Sequence, residues 1–408
     1  MTIQVPPPPA DWRSPDFLLG HIQHCLNFYH PRAIDPRGGF AHRFANDGRL
    51  LDAGPRNLVS TCRFVVIEAL AYRLFGRAEY REAVRHGLDF LTQAHRNPLS
   101  GGYAWLLSCQ DQGIEVVDGR NIGYGLSFAV LAFAMALKAG VSEAAPWLDE
   151  LVATMERRLY DPAHGLYADL AGADWQLSGY RGQNANMHAC EAMLCAFEAT
   201  GRPWFLERAD SLAQAVTVRL AGQSARGEVW EHYRADWSTD WQYNRHDHSD
   251  GYRPWGHLSG HQTEWAKLLL MLDRHRRAPW HLQRAQALFD GAVQRAWDDA
   301  RGGLFYSWGP DGVLHDDSKQ QWVHAETLAA AAHLAAATGD ARYVQWHERI
   351  WAYCWRHLVD HRHGAWLQSL DAGNCLTSSE KSEPEPDYHN IGACAELLRL
   401  FDQGDSRP

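Results

Sequence analysis

A short turn recurs along this 408-residue chain at a near-constant interval: an Asp or Asn, a few polar residues, a Gly, then an aromatic. It reads Asp35-Pro-Arg-Gly-Gly-Phe40, Asn97-Pro-Leu-Ser-Gly-Gly-Tyr103, Asp161-Pro-Ala-His-Gly-Leu-Tyr167, Asp299-Ala-Arg-Gly-Gly-Leu-Phe305 and Asp360-His-Arg-His-Gly-Ala-Trp366. A degenerate copy, Arg226-Gly-Glu-Val-Trp230, fills the remaining gap. The aromatic positions 40, 103, 167, 230, 305 and 366 are spaced by 63, 64, 63, 75 and 61 residues. A fixed period marks an array of like units, each too small to bury its apolar face alone.

Between the turns, apolar residues fall at i, i+3, i+4 spacing, the period of an α-helix packed on one side. The segments are 63–74, 80–94, 126–139, 147–159, 189–199, 264–274, 284–297, 326–337 and 343–358. A second connector separates paired helices: Phe75-Gly-Arg-Ala-Glu-Tyr80, Thr200-Gly-Arg-Pro-Trp-Phe205 and Thr338-Gly-Asp-Ala-Arg-Tyr343. Gly just past a helix end is the usual stop signal. Each unit therefore reads helix, Gly turn, helix, aromatic loop. Six units predict about twelve helices, an inner ring of six sheathed by an outer six: an all-α (α/α)6 barrel. An open solenoid stacks similar pairs without closing. At roughly 150 residues per domain the length alone suggests about 2.7 domains. The repeat replaces that with one catalytic domain over residues 1–408, preceded at residues 1–12 by a Pro-rich arm.

Composition narrows the partners. Lys plus Arg is 39 against 49 Asp plus Glu, a net charge of −10, which disfavours nucleic acid and anionic membrane as partners. The N-terminus lacks the basic and apolar regions of a secretory signal, and no apolar run approaches the ~18 residues of a membrane span. The eight cysteines are scattered without C-x2-C spacing, so they read as reduced core thiols. A cytoplasmic protein, monomeric or a homodimer, is expected. Counts of 18 Trp and 23 His stand out, residues common where neutral sugars and protons are handled.

The densest chemistry runs from Asp236 to Trp265, a polar and aromatic loop entering a helix whose first turn holds His261 and Glu264. At i, i+3 the two share a face. They read either as an acid/base with a group that orients it or grips a hydroxyl, or as a helix cap with a first-turn Glu. Asn184 and His188 share a face four residues apart and serve either a site or structural hydrogen bonds to loops. His389, Trp322-Val-His-Ala-Glu326 and Arg63 occupy corresponding places where an aromatic loop meets the next helix. Equivalent positions of a circular repeat converge in space. His246, His248, His361 and His363 read as solvated loop residues. His257 and His261 have i, i+4 metal-ligand spacing, but Ser259-Gly260 between them argues that His257 precedes the helix. No phosphate loop, nucleophile elbow or dinucleotide fingerprint is present.

Arg181-Gly-Gln-Asn-Ala-Asn-Met-His188, Gly260-His-Gln-Thr-Glu-Trp265, Trp322-Val-His-Ala-Glu326 and Asp387-Tyr-His389 resemble the N-acylglucosamine 2-epimerase superfamily. That superfamily includes cellobiose 2-epimerases, mannose isomerases and sulphoquinovose isomerase. Tyr243-Asn-Arg, Arg253-Pro-Trp-Gly and Gly260-His-Gln-Thr-Glu-Trp-Ala-Lys-Leu-Leu-Leu are most similar to the mannose isomerase branch. The resemblance covers nearly the whole chain and implies an (α/α)6 barrel. It implies His261 and His389 as acid/base residues. Arg63, Asn184, His188, Arg253, Glu264 and Glu326 would line the sugar site, with Trp322 and Trp366 near the same funnel. His324 stands where relatives tend to carry an apolar residue.

The implied reaction converts mannose to fructose through an enediolate, with no metal and no nicotinamide cofactor. One His opens the ring and the other, His389, moves the C2 proton to C1. Return of the proton to C2 would make a sugar 2-epimerase instead. An inverting glycoside hydrolase on the same barrel would need Glu264 and Glu326 as carboxylates roughly 6.5–9.5 Å apart. A non-enzymatic sugar-binding module is the remaining alternative.

Overall fold

The computed structural model describes residues 5–247, 250–377 and 386–404, with side chains to residue 400. The first four residues of the Pro-rich arm, His248 and Glu385 lie outside the described residues. Twelve α-helices occur among those described: α1 Pro15–Tyr29, α2 Leu58–Phe75, α3 Ala78–Phe90, α4 Gly123–Lys138, α5 Ala145–Arg158 and α6 Gln183–Thr200, followed by α7 Pro203–Gln214, α8 Ser259–His275, α9 Pro279–Ala296, α10 Gln321–Thr338, α11 Ala341–His357 and α12 Tyr388–Gly404. Periodicity anticipates nine of the segments. Of the others, α7 follows the Thr200-Gly connector and α12 begins beside His389. The three Gly connectors end α2, α6 and α10 with Gly76, Gly201 and Gly339, each at φ +69°, the left-handed conformation that an L side chain resists.

The even-numbered helices pack in sequence, α2 on α4, α4 on α6, α6 on α8, α8 on α10 and α10 on α12, and α12 returns to α2. That last contact closes the ring and excludes the open solenoid. The odd-numbered helices sheath it pairwise, α3 on α2 through α11 on α10, with α1 on α12. Sequence explains the division. Helix α4 (GYGLSFAVLAFAMALK) is apolar all round and buried all round, whereas α3 and α11 are apolar on one stripe only. No helix among the described residues is long and apolar enough to cross a membrane.

What sets the order of the inner ends is a recurrent staple. Before each of five inner helices, a short strand pairs antiparallel with a strand that lies just after the next aromatic turn, on the way to the next inner helix. Asn121–Ile122 pairs with Leu170–Ala171, Arg181–Gly182 with His232–Tyr233, His257–Leu258 with Ser307–Trp308, and Lys319–Gln320 with Ser369–Leu370. Pro55–Asn57 pairs with Leu106–Gln110 in the same manner. A buried side chain at the start of an inner helix then takes up the backbone N–H of the aromatic turn. Tyr103 N donates to Asn121 Oδ1 at 3.1 Å, Tyr167 N to Asn186 Oδ1 at 2.8 Å, and Val229 N to Gln262 Oε1 at 2.9 Å. Leu304 N donates to His324 Nε2 at 2.9 Å and Trp366 N to Asp387 Oδ2 at 3.0 Å.

Two readings of the sequence change here. The fifth turn is registered one residue early: Asp298, not Asp299, closes it through Gly302 and Gly303, and Leu304, not Phe305, bridges Trp297. His324 faces that turn, where it replaces an amide or carboxylate clamp, so its polarity is structural. His361 and His363 are partly buried and bonded to Trp355 O and Asp360, not simply solvated. All eight cysteines are free, and only Cys375 is exposed.

Many histidines are likewise structural. Burial pushes His21 and His333 down to about 3, and His95, His188, His324 and His347 down to about 4. These folded values lie below the unfolded value near 6.5, so the unfolded chain binds more protons in that interval. The stability they contribute is complete above pH ~6.5 and is lost as pH falls toward 4. Thermal melts should therefore show Tm falling steadily between pH 6.5 and 4. Asn186→Ala leaves both the N–H and the C=O of Tyr167 without their clamp. It should cost about 1–3 kcal/mol in urea unfolding.

Candidate active site

Because the six inner helices all start at the stapled end, their first turns converge on one funnel. The funnel holds a cavity of about 330 Å³, at the lower end of the range for small-molecule sites. Arg63 of α2, Tyr124 of α4, Asn184 and His188 of α6, His261 and Glu264 of α8, Trp322 of α10 and His389 of α12 all line it. The loop between α7 and α8 covers one side with Tyr252 and Trp255. Trp255 is held by its indole N–H on Trp241 O at 2.8 Å, and Tyr252 meets Trp105 edge-on at 5.1 Å.

The two histidines are built alike. His261 is buried, and its Nδ1 lies 2.9 Å from Glu231 Oε2. The same carboxylate oxygen accepts from Gln183 Nε2 at 2.8 Å, while Trp265 Nε1 donates to Gln183 Oε1 at 2.8 Å. His389 Nδ1 lies 2.7 Å from Glu326 Oε1, and Lys267 Nζ sits 2.5 Å from Glu326 Oε2. A carboxylate on Nδ1 fixes the proton there and leaves Nε2 with a lone pair. His389 Nε2 accepts from Arg63 Nη2 at 3.2 Å, and that guanidinium also donates to Tyr124 OH at 3.1 Å. Trp322 stands between the two imidazoles, 5.0 Å from His261 and 5.7 Å from His389, ring to ring.

The remaining polar groups are graded in charge. Burial lowers His188 to about 4 although Glu191 opposes the shift, so the ring is neutral and its Nδ1 is committed to Glu191 Oε2 at 3.0 Å. Tyr388 OH donates to the other Glu191 oxygen at 2.7 Å. Burial, with Glu326 adding to it and Lys267 opposing, raises Glu264 well above the usual carboxylate range. Neither Glu264 oxygen has a hydrogen-bond partner among the described residues, nor does Asn184 Oδ1. Both residues line the cavity.

His188, Glu191 and Glu264 approach within 4.8 Å, as do Glu264, Glu326 and His389, a spacing that a metal ion could bridge. Part of each donor set is engaged within the protein, while the Glu264 oxygens are open. Nδ1 of each histidine is bonded to its carboxylate, and the Lys267 ammonium lies on Glu326 and 4.0 Å from Glu264.

Three expected site residues lie elsewhere. Trp366 is fully buried against Trp351 and donates its indole N–H to His21 Nε2 at 2.9 Å, so it supports α1 and α11 and does not reach the funnel. Arg253 does not line the cavity. It pairs with Asp169 at 3.5 Å and Asp250 at 3.3 Å and lies over Tyr180, which holds the covering loop. Glu326 is behind His389. Glu264 does not orient His261; Glu231 does. The sequence reading also missed Gln183, Tyr124 and Lys267. Glu231 directly follows the degenerate turn at Trp230, and that adjacency was its one available signal. Glu264 and Glu326 come within 4.8 Å of each other, closer than the roughly 6.5–9.5 Å that an inverting hydrolase requires.

A closed (α/α)6 barrel with two carboxylate-backed histidines at one funnel defines a class of sugar isomerases and epimerases. The family model for N-acylglucosamine 2-epimerase matches residues 38–393, and the chain belongs to that family. It is 45% identical over 390 residues to a D-mannose isomerase of Marinomonas mediterranea, covering 95% of this chain and 98% of that one. A D-mannose isomerase of Thermobifida fusca is 34% identical over 343 residues, 83% of each chain. A crystal structure of a D-mannose isomerase superposes with a TM-score of 0.93 at 45% identity, covering 96% of this chain and all of that one.

Gly260 sits against Trp322, and a Cβ there would lie 2.3 Å from Trp322 Cζ3. Gly260→Ala should displace that indole from between the histidines at about 1–3 kcal/mol of overpacking. A thermal melt would show a modest loss, and monosaccharide affinity measured by calorimetry would fall with it.

Proposed function

We propose that the chain is an aldose–ketose isomerase that interconverts D-mannose and D-fructose by histidine acid/base chemistry through an enediolate. The observation that carries this reading is the pair His261 and His389, each with Nδ1 on a buried carboxylate and both lining one cavity. The 45% identical relative named D-mannose isomerase supports the choice of sugar.

In the proposed reaction, His261 opens the pyranose by moving a proton between the C1 hydroxyl and the ring oxygen. The C1 carbonyl then acidifies the C2 proton, which His389 Nε2 removes, giving the enediolate and an imidazolium. His389 delivers that proton to C1, while the O2 proton passes to O1, leaving the carbonyl at C2. Arg63 and the neutral acid of Glu264 are the donors assigned to the enediolate oxygens, and preorganised donors of this kind stabilise developing charge strongly. His188, with Nδ1 committed to Glu191, offers Nε2 to a sugar hydroxyl. No metal or nicotinamide enters the scheme. The proposal includes a single catalytic domain in the cytoplasm, monomeric or a homodimer. The net charge of −10 argues against polyanionic partners.

Incubation with D-mannose in deuterated water, followed by NMR, tests the reading. Fructose is expected as the first product. Glucose appearing first would convert the assignment to a 2-epimerase, and no conversion would sink both for this sugar. His261→Ala and His389→Ala should each lower turnover about 10²–10⁴-fold, the usual share of general acid/base catalysis, without lowering Tm. Normal activity in either variant removes that residue from the mechanism.

A further inference from the structure

Behind His389 the barrel is not solid. A second cavity of about 310 Å³ opens at the opposite end of the ring and reaches Lys267, Glu326 and the back of His389. Lys267 is one turn along α8 from Glu264, so it points into this rear space rather than into the funnel. Its ammonium is buried, 2.5 Å from Glu326 Oε2 and 4.0 Å from Glu264 Oε1.

We propose that Lys267 is a positioning residue for the base: by holding Glu326 ionised, it keeps the proton of His389 on Nδ1 and the lone pair on Nε2, facing the sugar. The inference rests on the proposed role of His389 as the proton carrier. The geometry is a relay of three groups from three inner helices, Lys267 of α8, Glu326 of α10 and His389 of α12. Among the described residues, Glu326 Oε2 meets the ammonium and Oε1 the imidazole.

The surroundings show why a cation is needed there. Three carboxylates converge on this part of the barrel, Glu264 of α8, Glu326 of α10 and Glu191 of α6, with Tyr388 and His389 of α12 against them. Burial alone drives such carboxyls toward the neutral acid, and Glu264 illustrates the outcome. Glu326 is instead held below the usual carboxylate range: burial acts against it, but Lys267 and then His389 outweigh burial. Arg63 of α2 also acts on Glu264 and faces Nε2 of His389 rather than Glu326, while Arg73, Lys138 and Arg399, with Glu198 and Glu396, line the same rear cavity. His333 of α10, on the same rear side, is kept neutral by burial.

Without the ammonium, the Glu326–His389 pair takes up a proton at higher pH. On the carboxyl, that proton is donated to Nδ1 and moves the ring proton to Nε2; on the ring, it occupies Nε2 directly. Either way the base is lost.

The test uses ¹⁵N-histidine NMR of the full-length protein, with His389 assigned by comparison with His389→Ala, together with the pH profile of kcat on D-mannose. Wild type should show the Nδ1–H tautomer. Lys267→Met should lose it near neutral pH, move the acidic limb of kcat upward, and lower kcat at pH 7 on the order of 10-fold or more with KM little changed. Glu326→Gln should force the proton to Nε2, because Lys267 claims the amide oxygen and leaves the amide NH2 facing Nδ1. The double variant carries no buried charge at the pair, so its amide oxygen can turn back to Nδ1–H and restore the tautomer. Retention of the Nδ1–H tautomer and the wild-type acidic limb in Lys267→Met overturns the proposal. So does a double variant no different from Glu326→Gln, which decides the matter if Lys267→Met alone does not fold. If wild type leaves mannose unchanged, the proposed function fails, whereas the tautomer readout still stands or falls by itself.

Discussion

The arrangement rests on how the aromatic turns are tied to the inner helices. Five of the six turns leave a backbone N–H pointing into the barrel wall, where an unpaired donor costs free energy. A polar side chain near the start of an inner helix satisfies it: Asn121, Asn186, Gln262, His324 or Asp387. The same clamp sets the height of the helix start against its neighbour, and the short antiparallel ladders repeat that setting around the ring. Helix starts held level in this way bring Arg63, His188, His261, Trp322 and His389 to a single cavity.

Within that cavity, charge is arranged by burial and then corrected by two cations. Desolvation neutralises His188 and favours the acid form of Glu264. Only where an ion or a hydrogen-bond donor intervenes does a carboxylate remain ionised, as Glu326 does beside Lys267. The result is a site with lone pairs, the neutral acid of Glu264 and the guanidinium of Arg63 at hand, suited to an uncharged polyhydroxy ligand that must gain and lose protons. A net charge of −10 over the whole chain has little bearing on this interior.

Much of this was legible in one dimension, and the failures have a common cause. His261, Glu264, Asn184, His188, Arg63 and His389 are recognisable as polar residues near helix starts, Trp322 comes with the resemblance, and the structure brings all of them to the funnel. The family resemblance places Trp366 with them, as an aromatic near the same funnel. Its ring lies inside the wall, where an aromatic of the repeat does its ordinary packing work. Arg253 belongs to the covering loop, whose course no periodicity describes. Glu231, Gln183 and Lys267 escaped notice because each touches its partner across the barrel, 30, 78 and 59 residues away from it in sequence. The two-residue ladders are too short to carry an alternating pattern.

Taken alone, the sequence settled the helical repeat, the number of units and the helix turns that carry chemistry, since these follow from spacing along one chain. Only the tertiary structure decided that the ring closes, because closure depends on α12 meeting α2, a contact between the chain's two ends. It also decided which carboxylate backs which histidine. Spacing had offered Glu264 for His261, but a helix aims residues three apart along one face toward the funnel together. The partner that holds an imidazole from behind must come from another element, as Glu231 and Glu326 do.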